Sequence, residues 1–224
     1  MSPKRRPRIL LVSDTRDWHA RRMEAAYETA GAQALRVDLA RCDFDTTRRS
    51  GLALPGFEDR LPDAVHVRTM GAGGFEAVTK RLGVLHALSA LGVRTWNDAR
   101  AIERCVDKST TSFLLARAGL PTPATWTAET RAEAAALVAR EAGSGALVLK
   151  PLFGSQGKGL RLIRKAQDLP APQEIGGVYY LQRFVATADG GFHDFRLFTL
   201  RGAVIGAMMR RGASWITNVK QGGE

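Results

Sequence analysis

The chain changes its folding pattern at Gly119-Leu120-Pro121-Thr122-Pro123. Two prolines so close together cannot continue a helix, because each lacks an N–H and fixes its own φ. Upstream of this break, short β-branched and leucine runs alternate with helical periods. Residues 8–12 read as a buried first strand and 35–39 as a second. Between them, 17–30 reads as a helix with Trp18, Met23, Ala26, Tyr27 and Ala30 near one face. Residues 41–62 show no period and read as a surface loop. A third strand over 64–70 ends at Gly71-Ala72-Gly73-Gly74, a long helix follows over 75–91, and a short strand occupies 93–96. This alternation predicts a small, mostly parallel α/β domain over residues 1–97. Asn97 or Asp98 caps a helix expected over 99–118.

Downstream, an Ala-rich helix over 132–142 precedes strands at 146–152, 160–164, 178–185, 195–201 and 204–210. Glycine-containing turns join them, so residues 98–224 read as an α+β domain with antiparallel sheets. A length of 224 residues suits one large or two small domains. The composition, 45% hydrophobic and 25% charged, is that of a folded soluble chain. Nothing approaches a membrane span, and the apolar run after the basic start is too short for a signal-peptide core. Cys42 and Cys105 are too few for a disulfide framework or a zinc site, and no His shares ligand spacing. The expected compartment is the cytoplasm.

The net charge of +11 invites a nucleic-acid reading, but its distribution weakens it. Lys4, Arg5, Arg6 and Arg8 supply four of those charges at the start. The rest is scattered, mostly as single Arg residues among Asp and Glu, with no basic helix and no run of stacking aromatics. Such a surface favours anions in general, nucleotide phosphate included.

The segment that carries chemistry runs from Ala146 to Ile163. It is an apolar strand, a turn containing Gly154, Gly157 and Gly159, and a second apolar strand. Lys150 interrupts the first strand, and a buried ammonium is costly without an anion. The glycines permit positive φ, so several N–H groups can converge on phosphate oxygens. The P-loop pattern fails here, with Leu at 152 and Gly at 159. The dinucleotide fingerprint fails at Gly71, where the third glycine would be Glu76. The competing reading is a hairpin with solvent-exposed lysines.

The order of further motifs decides between them. Asp107-Lys108 precedes the proline break, Tyr180-Leu181-Gln182-Arg183-Phe184-Val185 ends a strand, and His193-Asp194-Phe195-Arg196-Leu197 puts Asp194 and Arg196 on one strand face. Trp215 to Gly223 follows. With Val67 to Gly71 and Leu120-Pro121, this order resembles the ATP-grasp superfamily, in particular the RimK-type carboxylate–amine ligases. The resemblance covers about residues 60–224 and implies a pre-ATP-grasp domain followed by an ATP-grasp domain. It implies that Lys108 and Lys150 contact ATP phosphates beneath a closing loop of Gly154, Ser155, Gln156, Gly157 and Gly159. Adenine would be held around Gln182, Arg183 and Phe184, and the ribose by Asp194. Arg196, with Lys150, would serve the transferred phosphoryl group, Asn218 would lie near the phosphates, and Lys220 near a substrate. Arg68 and Gly71 to Gly74 would border the substrate pocket. The alternative for Asp194 and Arg196 is a structural cross-strand pair.

Three departures stand out. The family's acidic residue beside the hinge glutamine is Arg183 here. An Arg two residues before the Asn is Ile216, leaving Arg210 or Arg211 to supply that contact. No Glu is followed two places on by Asn, so no metal ligands are assigned. Those for Mg²⁺ are expected beyond residue 224, in a chain that is C-terminally incomplete or degenerate. The resemblance implies an ATP- and Mg²⁺-dependent ligase that joins glutamate or a similar amino acid to a coenzyme or protein acceptor through an acylphosphate. The implied partners are ATP, the amino acid, a carboxylate-bearing acceptor and copies of the chain, with neither membrane nor nucleic acid. The alternatives are a non-catalytic nucleotide-binding scaffold and a basic nucleic-acid-associated protein.

Overall fold

The computed structural model describes residues 5–154, 157–219 and 222–224. The chain divides into two compact units, Met1–Val106 and Asp107–Glu224. Among the described residues no helix is long and apolar enough to cross a membrane.

The first unit contains β1 (Arg8–Val12), α1 (Trp18–Thr29), β2 (Gln33–Val37), β3 (Asp43–Phe44), β4 (Leu52–Ala53), β5 (Ala64–Val67), α2 (Phe75–Ala90), β6 (Arg94–Trp96) and α3 (Ala99–Val106). Its main sheet has the order β2-β1-β5-β6, with every pairing parallel. Both faces of β1 are covered, which is why Ile9 to Val12 is an unbroken apolar run rather than an alternating one. Asp17 stops at the α1 N-cap and accepts the Ala20 N–H at 2.8 Å. The buried stripe of α2 is Val78, Arg81, Val84, Leu85 and Leu88, spaced three and four apart. Arg81 is tolerated there because its guanidinium donates to the carbonyls of Met70 and Ala72, at 3.0 and 2.8 Å. It thereby fixes the Gly71–Gly74 turn.

Three local expectations need correction. Trp18 is exposed on α1, with Arg22 over its ring, and Ala20 is the helix's buried residue. Residues 41–62 are not simply a surface loop, since they form the β3–β4 hairpin and bury Leu52, Leu54 and Phe57 in the core. The helix over 99–118 is two helices. Asp107 breaks it, because its carboxylate is better used as the N-cap of a new helix, α4 (Lys108–Arg117). The preceding α3 packs with the first unit, where Ala99 and Ile102 meet its core, although the sequence suggests a boundary after Asn97.

The second unit adds β7 (Thr125–Ala128), α5 (Arg131–Glu141), β8 (Leu147–Lys150), β9 (Arg161–Ile163), β10 (Tyr179–Arg183), β11 (His193–Leu200) and β12 (Ala203–Arg211). One antiparallel sheet has the order β7-β10-β8-β9, and β11 and β12 form a separate antiparallel ribbon. Sequence periodicity missed β7, which has four residues between a proline-rich turn and the Thr130–Glu133 capping box of α5. Side chains alternate across this sheet. Leu147, Leu149, Ile163, Tyr179 and Leu181 face one way and pack with Ala134 and Val138 of α5. Each fully buried leucine contributes about 1.5–3 kcal/mol. The registers Tyr180↔Lys150, Gln182↔Val148 and Gln182↔Thr125 put those five residues on the opposite face.

Candidate active site

That second face carries the ionisable group that looked out of place in the sequence. Lys150, at the end of β8, is half-buried and donates to Gln182 Oε1 at 2.5 Å. Burial pushes its pKa below the ordinary lysine value. Lys108, in the first turn of α4, donates to the carbonyls of Leu152 and Gly154 at 3.1 and 2.9 Å. Its pKa is also lowered, first by burial and then by the charge of Lys150, with Asp107 opposing. Neutral oxygens, not carboxylates, accept the hydrogen bonds of both ammonium groups. Two mutually repelling, half-buried cations with such partners can take up a polyanion.

The α4 N-terminus is held firmly. The Asp107 carboxylate accepts from the Ser109 N–H at 2.8 Å and from the hydroxyls of Ser109 and Thr110, each at 2.5 Å. Burial acts to raise its pKa, but these hydrogen bonds outweigh burial and the net shift is downward. Beside Lys108, the glycine turn has the conformation its residues suggest. Gly157 and Gly159 have φ of 72° and 71°. A Cβ on Gly159 would stand 2.8 Å from Pro151 Cγ, so the backbone passes where no side chain fits. Ser155, Gln156 and Lys220 lie outside the described residues.

Lys150 and Gln182 also border a cleft of about 330 Å³, within the size range of small-molecule sites. Arg183, Phe184 and Asp194 line it too, together with Pro123, Val148, Leu160, Trp215 and Thr217. Phe184 and Trp215 meet edge-on with centroids 6.1 Å apart. The Arg183 guanidinium is committed elsewhere. It donates to the Glu141 and Gly145 carbonyls at 2.9 and 2.7 Å, pairs with the Glu141 carboxylate at 3.0 Å and lies over Trp126. Its main-chain N–H is committed as well, donating to the Ala124 carbonyl at 2.8 Å, so the basic side chain at this position serves the fold.

Asp194 sits opposite Arg210, and Arg210 takes both its oxygens in a fork, with Nε at 2.7 Å from Oδ1. Thr217 Oγ1 donates to Oδ2 at 2.7 Å. These donors, Arg210 first, hold the carboxyl below the usual range. Oδ1 keeps capacity to accept one more hydrogen bond. The cross-strand partner of Asp194 is thus Arg210 rather than Arg196, which commits two of the five Arg210 donors to that carboxylate. Arg196 lies opposite Met208, exposed, near enough to Asp194 to lower its pKa. Asn218 follows Thr217, is not among the cleft-lining residues, and its carbonyl accepts the Gly223 N–H at 3.2 Å. In the first unit, Arg68 pairs with Asp17 at 3.0 Å.

The structure therefore gathers Lys150, Gln182, Arg183, Phe184 and Asp194 around one cleft, with Lys108 bonded to the glycine turn. Arg196 and Asn218 stand outside the cleft lining. A larger concavity of about 570 Å³ between α4 and β7 has no ionisable side chain in its lining. Sequence reasoning missed Val148, Leu160, Pro123, Thr125, Tyr180 and Thr217. Counting in twos from Lys150 and Gln182 would have found Val148 and Tyr180. The others come from separate segments with no pattern of their own. Among the described residues no three His, Cys, Asp or Glu side chains come together as a metal site.

The model of the RimK-like ATP-grasp domain matches residues 105–224. The tetrahydromethanopterin:alpha-L-glutamate ligase of Methanosarcina acetivorans is 32% identical over 236 residues, covering 96% of this chain and 71% of that protein. A solved RimK domain ATP-grasp protein from Sphaerobacter thermophilus superposes with a TM-score of 0.65 at 21% identity, over 89% of this chain and 71% of that one. The ATP-grasp ligase PsnB, solved with a phosphomimetic variant of its minimal precursor, Mg and ADP, gives 0.60 at 20% identity, over 91% and 71%.

Proposed function

The chain belongs to the RimK-like ATP-grasp family of ATP-dependent C–N ligases, and from that premise we propose that it joins glutamate, or a similar amino acid, to a carboxylate-bearing coenzyme or protein. The observation that carries this reading is the pair of half-buried ammonium groups, Lys108 and Lys150, beside a glycine turn and bonded to neutral oxygens.

Each step asks for positioning and charge rather than covalent help from the protein. Lys108 and Lys150 bind ATP phosphates, the glycine turn at Gly154, Gly157 and Gly159 closes over them, and closure excludes water. Gln182, Arg183 and Phe184 border the adenine as walls of the cleft, and Asp194 Oδ1 accepts from a ribose hydroxyl. Transfer of the γ-phosphoryl group to the acceptor carboxylate gives an acylphosphate. The amino-acid amine attacks it, and phosphate leaves as the amide forms. Lys150 stabilises the developing charge, a role the family resemblance also gives to Arg196, while Asn218 lies near the phosphates. Mg²⁺, general in this family, would supply charge neutralisation at the phosphates when bound. The described residues do not assemble a carboxylate set for it.

The test is incubation of the chain with ATP, glutamate and a panel of carboxylate acceptors. ADP release that requires both glutamate and one acceptor, with a matching mass increase of that acceptor, is the expected result. ADP release independent of any acceptor would overturn the ligase reading.

A further inference from the structure

Behind Lys150 runs a chain of hydrogen bonds whose direction can be worked out from one end. The Pro123 carbonyl can only accept, so Thr125 Oγ1, 2.9 Å away, must donate its single hydrogen to it. That hydroxyl is then an acceptor for Gln182 Nε2 at 3.0 Å. The second amide hydrogen of Gln182 goes to the Tyr180 hydroxyl at 3.2 Å. The Tyr180 hydroxyl lies 2.6 Å from Ser112 Oγ, and either of the two can donate. Both hydrogens of the Gln182 amide are thus used on the sheet side, and Oε1 is left facing Lys150 Nζ at 2.5 Å. The flipped amide would put a donor against the ammonium and a carbonyl against a hydroxyl already committed to Pro123. It is excluded at both ends.

We infer that Thr125 and Tyr180 are positioning residues: they lock the Gln182 amide so that its oxygen holds the Lys150 ammonium at one place in the cleft. Packing alone does not require this arrangement. Tyr180 is 2% exposed and Gln182 9% exposed, and apolar residues of similar shape would fill those volumes. The hydroxyls and the amide earn their burial only as a closed network, and among the described residues no buried side-chain polar atom is left unpaired. A lysine has four flexible carbons and three donors. Gln182 takes one donor and fixes the stem, so two remain, already placed for an anion's oxygens. The ordering that binding would otherwise require is done beforehand.

The effect on nucleotide binding rests on the ATP reading above, whereas the lock itself does not. The experiment uses Thr125→Val, Thr125→Ser and Tyr180→Phe, each alone and combined with Gln182→Leu. Folding is verified by circular dichroism, and Tyr180→Phe serves if Thr125→Val does not fold. One readout needs no nucleotide: acylation of Lys150 by acetic anhydride, followed by peptide mass and referenced to Lys80. Loss of the lock removes a bond that favours the charged amine. Acylation should therefore rise several-fold in the Val and Phe variants and stay unchanged in the Ser variant. The second readout is ATP affinity by calorimetry, expected to weaken about tenfold in the same two variants. Both differences should vanish when Gln182 is already Leu. Unchanged acylation, or changes of equal size in the Gln182→Leu background, would overturn the lock. If the wild-type chain binds no ATP while acylation follows the expected pattern, the lock stands and the ATP reading falls. If ATP binds and acylation never responds, the reverse holds.

Discussion

Lys150 combines two properties that rarely coincide, a charge and a place in a sheet that buries its neighbours. Replacing it with alanine is expected to weaken ATP binding by roughly ten- to a hundredfold, since hydrogen bonds to charged groups are the stronger kind. Calorimetry at fixed ionic strength measures this, and unchanged affinity would remove the residue from the phosphate site. Its titration gives a second expectation. Burial lowers the folded pKa of both Lys108 and Lys150. Between that lowered value and the ordinary one near 10.5, the unfolded chain holds more protons, so these lysines make stability rise with pH. An anion reverses the effect by restoring the charge. ATP binding in that window should therefore be accompanied by proton uptake, seen as a dependence of the calorimetric heat on the buffer's ionisation enthalpy. At this scale much of the site was legible. Lys150 breaks an apolar run, and that alone marks it. The commitment of Arg183 to Glu141 was not legible, because the two residues are 42 positions apart and nothing local pairs them.

At the scale of elements, the two devices that place the lysines are a helix start and a turn. Asp107→Ala removes the cap of α4 and is expected to lower stability by about 1 kcal/mol. A lower denaturant midpoint at constant slope would report it, with Asp107→Asn nearly restoring the wild type. Because Lys108 is the next residue, the same change should weaken ATP binding, and unaltered binding would show that the cap does not place it. Gly159→Ala forces a side chain into the left-handed region and against Pro151, at roughly 1–2 kcal/mol for the backbone alone. The periodic elements were readable because period is a local property. The break at Asp107 was readable only in hindsight, from an Asp followed by Ser109, Thr110 and Thr111. Strand β7 was not, since four residues are too few for alternation to register, and its partner β10 lies more than fifty positions away.

Over the whole molecule, the +11 charge is diffuse and partly paired. Arg5, Arg8, Arg60, Arg161 and Arg210 each meet a carboxylate within 3.2 Å. The exposed pairs among them add little stability, but all of them leave less charge for a phosphate backbone. Binding to homopolymer RNA should accordingly be weak, with a shallow dependence on salt; a slope near that of many released counterions would restore the nucleic-acid alternative. The two-part pattern of the chain, parallel then antiparallel, followed from its alternation and its proline break. The separation into two cores appears in the residues that each gathers, Leu10, Val12, Leu85 and Leu88 in one and Leu149, Ile163 and Leu181 in the other. The two-sidedness of the β7-β10-β8-β9 sheet has one more consequence. Deleting a single residue within β10 would exchange its faces, turning Leu181 toward the cleft and Gln182 into the core. Loss of chemistry and loss of fold would then be the same event. Length variation among relatives of this chain is therefore expected in the turns that follow β8 and β10, and to be absent from the strands themselves.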